Sequence, residues 1–285
     1  MITKILYYSL IIPISLLPFS IIYILSDIFY IIIYYLLGYR KNIVLKNLQN
    51  AFPHKSKDEI KKIMKSFYRH FSDLILEIIK GFTISSSQLS KRLIIENSEV
   101  LDEYAKKNQS IILMGGHYNN WEMCAQAFAL CLNHKCYGIY KPLKNIFLNN
   151  KIYTSRTRFG LNLASMKKTK SLFSNLDITK AFLFASDQTP SKSKKSYWLN
   201  FLNQDTVVFT GAERYAREYN LPVFYVGVSK LKRGFYKVKF NLITQKPNDL
   251  EFGKVTDLYM TNLEKDIIIC PEYWLWTHKR WKHTK

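Results

Sequence analysis

Residues 110–122 read SIILMGGHYNNWE, and the change of character within this run decides the fold. Ser110–Met114 is a short apolar run of the kind that makes a buried strand, and Gly115-Gly116 ends it. Asn119 then reads as the N-cap of a helix over 120–132. His117 falls in the turn and Glu122 in the first helical turn. On a continuous helix, residues five apart point about 140° away from each other. Across a turn, the carboxylate can instead reach the imidazole from behind, fix its tautomer and leave the other nitrogen facing substrate. That arrangement deprotonates an alcohol. The same residues also fit a capping box, Asn119-x-x-Glu122, in which the glutamate only satisfies the N-cap amide. A histidine after two glycines also serves as a plain turn residue, so the spacing leaves both readings open.

Working outward, strands expected at 110–114, 136–140, 181–185, 222–229 and 235–241 alternate with helices at 120–132, 145–158, 168–176, 210–219 and 255–270. This alternation predicts an α/β fold, a mixed and mainly parallel sheet flanked by helices. Two helices lead in at 41–50 and 56–80. The second opens on a capping box, Ser56-x-x-Glu59, and its apolar stripe from Ile60 to Ile78 reads as packing.

Functional residues in such sheets gather beyond the carboxyl ends of the strands. His117 follows one strand, Asp187-Gln188 another, and Tyr140-Lys141-Pro142 a third, with Arg156 and Arg158 closing the next helix. Residues 187–209 read as a long polar and aromatic loop, and loops of that length in compact domains are usually functional. Asp187 also fits a turn cap before Pro190, and Lys141 a solvated edge charge. Their clustering at one rim argues for a site.

The charge narrows the partners. With 42 Lys and Arg against 21 Asp and Glu the net is +21, which calls for a polyanion: nucleic acid, anionic lipid or an acidic carrier protein. The chain has no RNP-like motif or basic recognition helix, which argues against nucleic acid. The four cysteines lack CxxC spacing and read as buried free thiols of a reducing compartment. His54, His70, His134, His278 and His283 lack ligand spacing with them, so neither a metal nor a cofactor is expected.

From Ile5 to Leu37 the only charged residue is Asp27. The run is too long for the apolar region of a signal peptide, and no small-residue cleavage site follows it. It exceeds the roughly 20 apolar residues needed to span a bilayer. Pro13 and Pro18 interrupt it, and Asp27 is costly at a bilayer centre. A kinked spanning helix and a helix lying partly in the interface both fit, with Tyr23, Tyr30, Tyr34 and Tyr35 suited to the headgroup level. Arg40, Lys41 and Lys46 follow, against Lys4 alone on the other side, which places the rest of the chain in the cytoplasm. The expected organisation is an anchor over 1–40 and a catalytic domain over 41–285, with a helical lead-in at 41–90 and the α/β core at 91–285. The chemistry is expected to survive removal of the anchor.

Seven motifs in order then carry a resemblance over nearly the full length. After the apolar N-terminus come NLQNAFP at 47–53, GGHYNNWE at 115–122, YKPLKN at 140–145, SRTRFG at 155–160 and SDQTP at 186–190. YWLNFLNQDTVVFTG at 197–211 follows, and PEYWLWTHKRW at 271–281 closes the series. The chain resembles the late lipid A acyltransferases, the lauroyl/myristoyl transferases of the lysophospholipid acyltransferase superfamily, in the form found in Bacteroidetes-type bacteria. The resemblance implies a His-x4-acid dyad at His117 and Glu122. It implies an oxyanion-stabilising arginine at Arg156 or Arg158, and an organising carboxylate at Asp187. Tyr118, Asn120, Lys141, Gln188 and Thr210 make up the substrate-binding set expected around them. At 140–142 the family often reads Tyr-Arg-Pro; Lys141 keeps the charge and loses the bidentate fork.

The implied reaction moves a fatty acyl group from acyl carrier protein to a hydroxyl of a lipid A precursor. It would run on the cytoplasmic face of the bacterial inner membrane, with the anionic membrane surface as a further partner and without nucleic acid. The alternatives are transfer to a lysophospholipid or amino-lipid, a membrane-tethered basic binding protein without catalysis, and a silent membrane scaffold.

Overall fold

The computed structural model describes residues 1–173, 178–190 and 197–283. Two apolar helices open the chain, α1 (Ile2–Leu16) and α2 (Phe19–Leu36). They are followed by α3 (Lys41–Ala51), α4 (Lys57–Lys80), α5 (Ser86–Arg92), β1 (Leu93–Ile95) and α6 (Glu99–Lys106). The capping box at the start of α4 is present in both directions between Ser56 and Glu59. Then come β2 (Ile111–Gly115), α7 (Trp121–Cys131), β3 (Lys135–Tyr140), α8 (Ile146–Thr157), β4 (Asn162–Ser165) and β5 (Lys180–Ala185). A hairpin of β6 (Tyr197–Phe201) and β7 (Gln204–Val208) precedes α9 (Gly211–Glu218), β8 (Val223–Lys232), β9 (Phe235–Thr244) and α10 (Lys254–Ile269).

Among the described residues, seven strands form one sheet in the order β1-β9-β8-β2-β5-β3-β4. The five strands from β8 to β4 run parallel, and β9 turns back antiparallel on β8. The sheet is therefore mixed and mainly parallel, as the alternation of strands and helices predicts. Successive side chains of a strand point to opposite faces. Ile112 and Met114 of β2 accordingly join one core with α4, α9 and α10, while Ile111 and Leu113 join another with α5, α6 and α7.

Some local expectations are corrected. The helix predicted at 168–176 is a single turn at Lys170–Phe173, and residues 174–176 lie outside the described residues. The long loop predicted at 187–209 contains the β6–β7 hairpin, turned by Leu202 and Asn203 with φ of 52° and 61°. β1 and β4, at three and four residues, are too short to leave a periodic trace.

Phe19–Leu36 is long and apolar enough to cross a membrane. One face of α2 is exposed and apolar at Ile21, Ile24, Ile28, Ile31 and Tyr35. The other buries Phe19, Ile22, Ser26, Tyr30 and Ile33 at helical spacing, and packs on α4. Polar ties run along this seam. Ser26 Oγ donates to Asp73 at 2.7 Å, and Arg233 bridges Asp27 and Asp73 at 2.6 Å each. Lys80 Nζ donates to the carbonyls of Ser15 and Leu17 at 2.9 Å each. These sit at the break before Pro18, whose missing N–H interrupts the helical ladder. Asp27, costly in isolation, thus has an arginine partner from the β8–β9 turn.

Candidate active site

The parallel pairing of β2 with β5 sets Gly115 beside Ala185. Two residues further along each chain, His117 and Asp187 meet. Asp187 Oδ1 lies 2.7 Å from His117 Nδ1, and Oδ2 accepts the His117 backbone N–H at 2.9 Å. Trp274 Nε1 also donates to Oδ2, at 2.9 Å. Asp187 is 2% exposed. Burial alone would raise its pKa, but His117 and these donors outweigh it and hold the carboxyl down at about 2. For His117, burial opposes the charged ring, while the Asp187 carboxylate favours it and carries the pKa above the usual imidazole value. Glu122 pushes the same way through space and Arg156 opposes. With Nδ1–H given to Asp187, Nε2 is the nitrogen left to act as a base.

The turn is held from several directions. Gly116 passes so close to α10 that a Cβ there would lie 2.8 Å from Leu263 Cδ1. Tyr259 Oη donates to the Gly115 carbonyl at 2.7 Å. The segment after α10 lies against the turn: Asn119 N–H donates to Tyr273 O, and Leu275 N–H to His117 O. Asn119 adopts φ of 53°, a left-handed conformation that asparagine tolerates, and its amide donates to Val228 O at 2.7 Å.

The helix cap is therefore shifted by one residue from the expected one. Asn120 is the N-cap, its Oδ1 accepting Met123 N–H at 2.9 Å. No Asn119–Glu122 capping box forms, because Glu122 is engaged elsewhere. Arg156 holds its carboxylate in a two-pronged pair, Nε to Oε2 at 2.8 Å and Nη2 to Oε1. The contact from behind the imidazole that spacing suggested for Glu122 is made by Asp187. Burial disfavours the Arg156 charge, yet Glu122 more than compensates and its pKa is raised.

The arginines divide sharply. Arg158 points back to the end of α4, where its guanidinium donates to the carbonyls of Gly81, Phe82 and Ile84. These are carbonyls at and just beyond a helix C-terminus, which need such donors. Arg156 instead lines a cavity of about 600 Å³ together with His117, Glu122, Lys141 and Gln188. The remaining lining includes Leu113, Cys124, Phe128, Leu161, Leu183 and Val226, which belong to or pack against the core under α7. The cavity thus runs from a polar rim into an apolar interior.

Three residues expected to touch substrate are not among those that line this cavity. Tyr118 is 5% exposed and its hydroxyl donates to the carbonyls of Asp266 and Cys270 at the end of α10. Asn120 is buried as a cap. Thr210 is the N-cap of α9; its neighbours Phe209 and Gly211 line the cavity. Residue-by-residue reading also missed Trp274, which grips Asp187. Its signal was the aromatic density of the closing motif at 271–281.

Comparison with known proteins supplies the family. The profile of the bacterial lipid A biosynthesis acyltransferases matches residues 1–283. Over 249 residues the chain is 22% identical to the lipid A biosynthesis palmitoleoyltransferase of Escherichia coli (strain K12), covering 85% of this chain and 79% of that protein. The lipid A biosynthesis acyltransferase of Shigella flexneri matches at the same identity and coverage. The lipid A biosynthesis lauroyltransferase of Escherichia coli is 21% identical over 246 residues, with the same shares covered. A strand-end histidine, a cavity that deepens into an apolar core and a match of this extent together assign the chain to the bacterial lipid A biosynthesis acyltransferase family.

Proposed function

We propose that this acyltransferase moves a fatty acyl group from acyl carrier protein to a hydroxyl of a lipid A precursor, with His117 as general base. The observation that carries the reading is the Asp187 carboxylate on His117 Nδ1, on a ring that lines the cavity. The acceptor oxygen attacks the thioester carbonyl as its proton passes to Nε2. Asp187 keeps the tautomer and steadies the imidazolium. The tetrahedral intermediate then collapses, the carbon–sulfur bond breaks, and the imidazolium returns the proton to the leaving thiolate.

In this reading the acid of the His-x4-acid motif works at one remove. Glu122 favours the imidazolium through space and holds Arg156 at the rim, where the guanidinium faces the developing oxyanion. One such donor is worth about 3–4 kcal/mol in enzymes where it has been measured. The apolar part of the cavity takes the acyl chain, and Lys141 and Gln188 meet polar parts of donor or acceptor. The +21 charge suits an acidic carrier protein and a phosphorylated glycolipid on an anionic membrane surface. The exposed apolar face of α2 docks the enzyme on the cytoplasmic side of the inner membrane.

The test is mass spectrometry of lipid A from cells lacking the protein and then supplied with wild type or His117→Ala. Wild type restores an acylated species and the variant does not. Restoration by the variant would remove the mechanism, and an unchanged lipid A throughout would remove the acceptor.

A further inference from the structure

A buried carboxylate outside the cavity rim ties the His117 turn to the N-terminal apolar helix. Glu77 of α4 is 2% exposed and accepts three hydrogen bonds. Tyr236 Oη and Asn120 Nδ2 each donate to Oε2 at 2.7 Å, and Tyr23 Oη donates to Oε1 at 3.0 Å. An asparagine can cap a helix only through its oxygen. By taking the Asn120 nitrogen, Glu77 turns Oδ1 toward Met123 N–H and sets the first turn of α7, which carries Glu122. Tyr23 belongs to α2, which Ser26 and Arg233 bind to Asp73 one helical turn before Glu77. A continuous hydrogen-bonded path thus runs from the apolar helix, through α4, to the start of the helix beside His117.

We propose that Glu77 is a positioning residue through which the seated N-terminal helix holds Asn120, Glu122 and the His117 turn in working geometry. The apolar segment is then part of the catalytic apparatus as well as an anchor. This inference rests on the reading of His117 as general base. Burial raises the Glu77 pKa, and the Tyr236 and Asn120 donors work against that rise.

The test uses the full chain in detergent with Tyr23→Phe, Glu77→Gln and Asn120→Ser. Tyr23→Phe deletes one hydroxyl and leaves the ring in place. Its kcat is expected to fall about fivefold or more, as the loss of one charge-assisted hydrogen bond would allow, with the KM for acyl donor unchanged. Glu77→Gln should fall further. Tyr23→Phe and Asn120→Ser together should cost less than the product of their separate effects, because both act through Glu77. Independently of activity, hydrogen exchange at the amides of residues 121–124 should quicken in Tyr23→Phe and Glu77→Gln while the β8–β9 amides stay protected. Unchanged kcat per folded molecule, multiplicative effects, or exchange that rises evenly through the domain would overturn the proposal. If wild type transfers no acyl group at all, the functional reading fails, and the exchange experiment still decides the coupling.

Discussion

Asp187→Asn is the most discriminating change at this site. Asp187 Oδ2 receives two donors, the His117 backbone N–H and Trp274 Nε1, both at 2.9 Å. An asparagine must keep its oxygen there, since its NH2 group would face two N–H groups. That orientation aims the amide nitrogen at His117 Nδ1, which can then only accept. The ring proton moves to Nε2, and the nitrogen facing the cavity loses the lone pair it needs. General-base help is worth roughly 10²–10⁴-fold, and a carboxylate-to-amide change that imposes the wrong tautomer lies at the upper end. In barrier terms this is about 3–5.5 kcal/mol. Folding should be spared, because the two donors stay satisfied.

The assay is transfer from labelled acyl carrier protein to purified lipid A precursor in detergent, with thermal unfolding followed alongside. A second readout is the pH profile of wild type. The base must be neutral, and Asp187 raises the His117 pKa. Activity should therefore fall as pH drops through an apparent pKa above 6.5. Asp187→Asn retaining activity within a few-fold, while Glu122→Gln abolishes it, would refute the assignment and return the imidazole to Glu122.

The arginines should separate cleanly. Arg156→Ala should lower kcat per folded molecule about 10²-fold or more. Arg158→Ala should instead cost about 1–3 kcal/mol of stability in denaturant unfolding, with kcat per folded molecule intact, because it strips donors from carbonyls at the end of α4. Gly138→Leu should shift product toward shorter acyl chains by mass spectrometry, since a Cβ there would lie 3.0 Å from Leu163 Cδ2 in the cavity wall. Removing residues 1–40 takes away the partners that Lys80 has in the Ser15 and Leu17 carbonyls, and those that Glu77 and Asp73 have in Tyr23 and Ser26. Contrary to the expectation from the sequence that the chemistry survives removal of the anchor, the truncated chain should lose transfer even on detergent-dispersed acceptor, with a lower melting temperature. Full activity at an unchanged melting temperature would make the segment a tether only.

The alternation of apolar runs and helical stripes made the sheet legible because both periods are written locally. The capping box at Ser56 and Glu59 was legible for the same reason. The identity of the histidine's partner was not. A reading by spacing weighs neighbours along the chain, and so favoured Glu122, five residues from His117. The contact is decided by strand register, which brings Gly115 beside Ala185 and so joins residues 70 apart.

The same cause explains the other misses. Tyr23 and Glu77 carry no local motif, Trp274 is one aromatic among several in the closing motif, and each acts across a seam between elements far apart in sequence. Tyr118 and Asn120, expected in the substrate set, stand beside His117 in the sequence, but a strand-to-helix turn sends successive side chains in opposed directions. Once the turn has committed His117 to the cavity, Tyr118 is committed to α10 and Asn120 to Glu77. In the proposed mechanism the residues beside the base therefore serve to hold it. The charge at the cavity rim, Arg156, comes from a helix that returns to Glu122, 34 residues later.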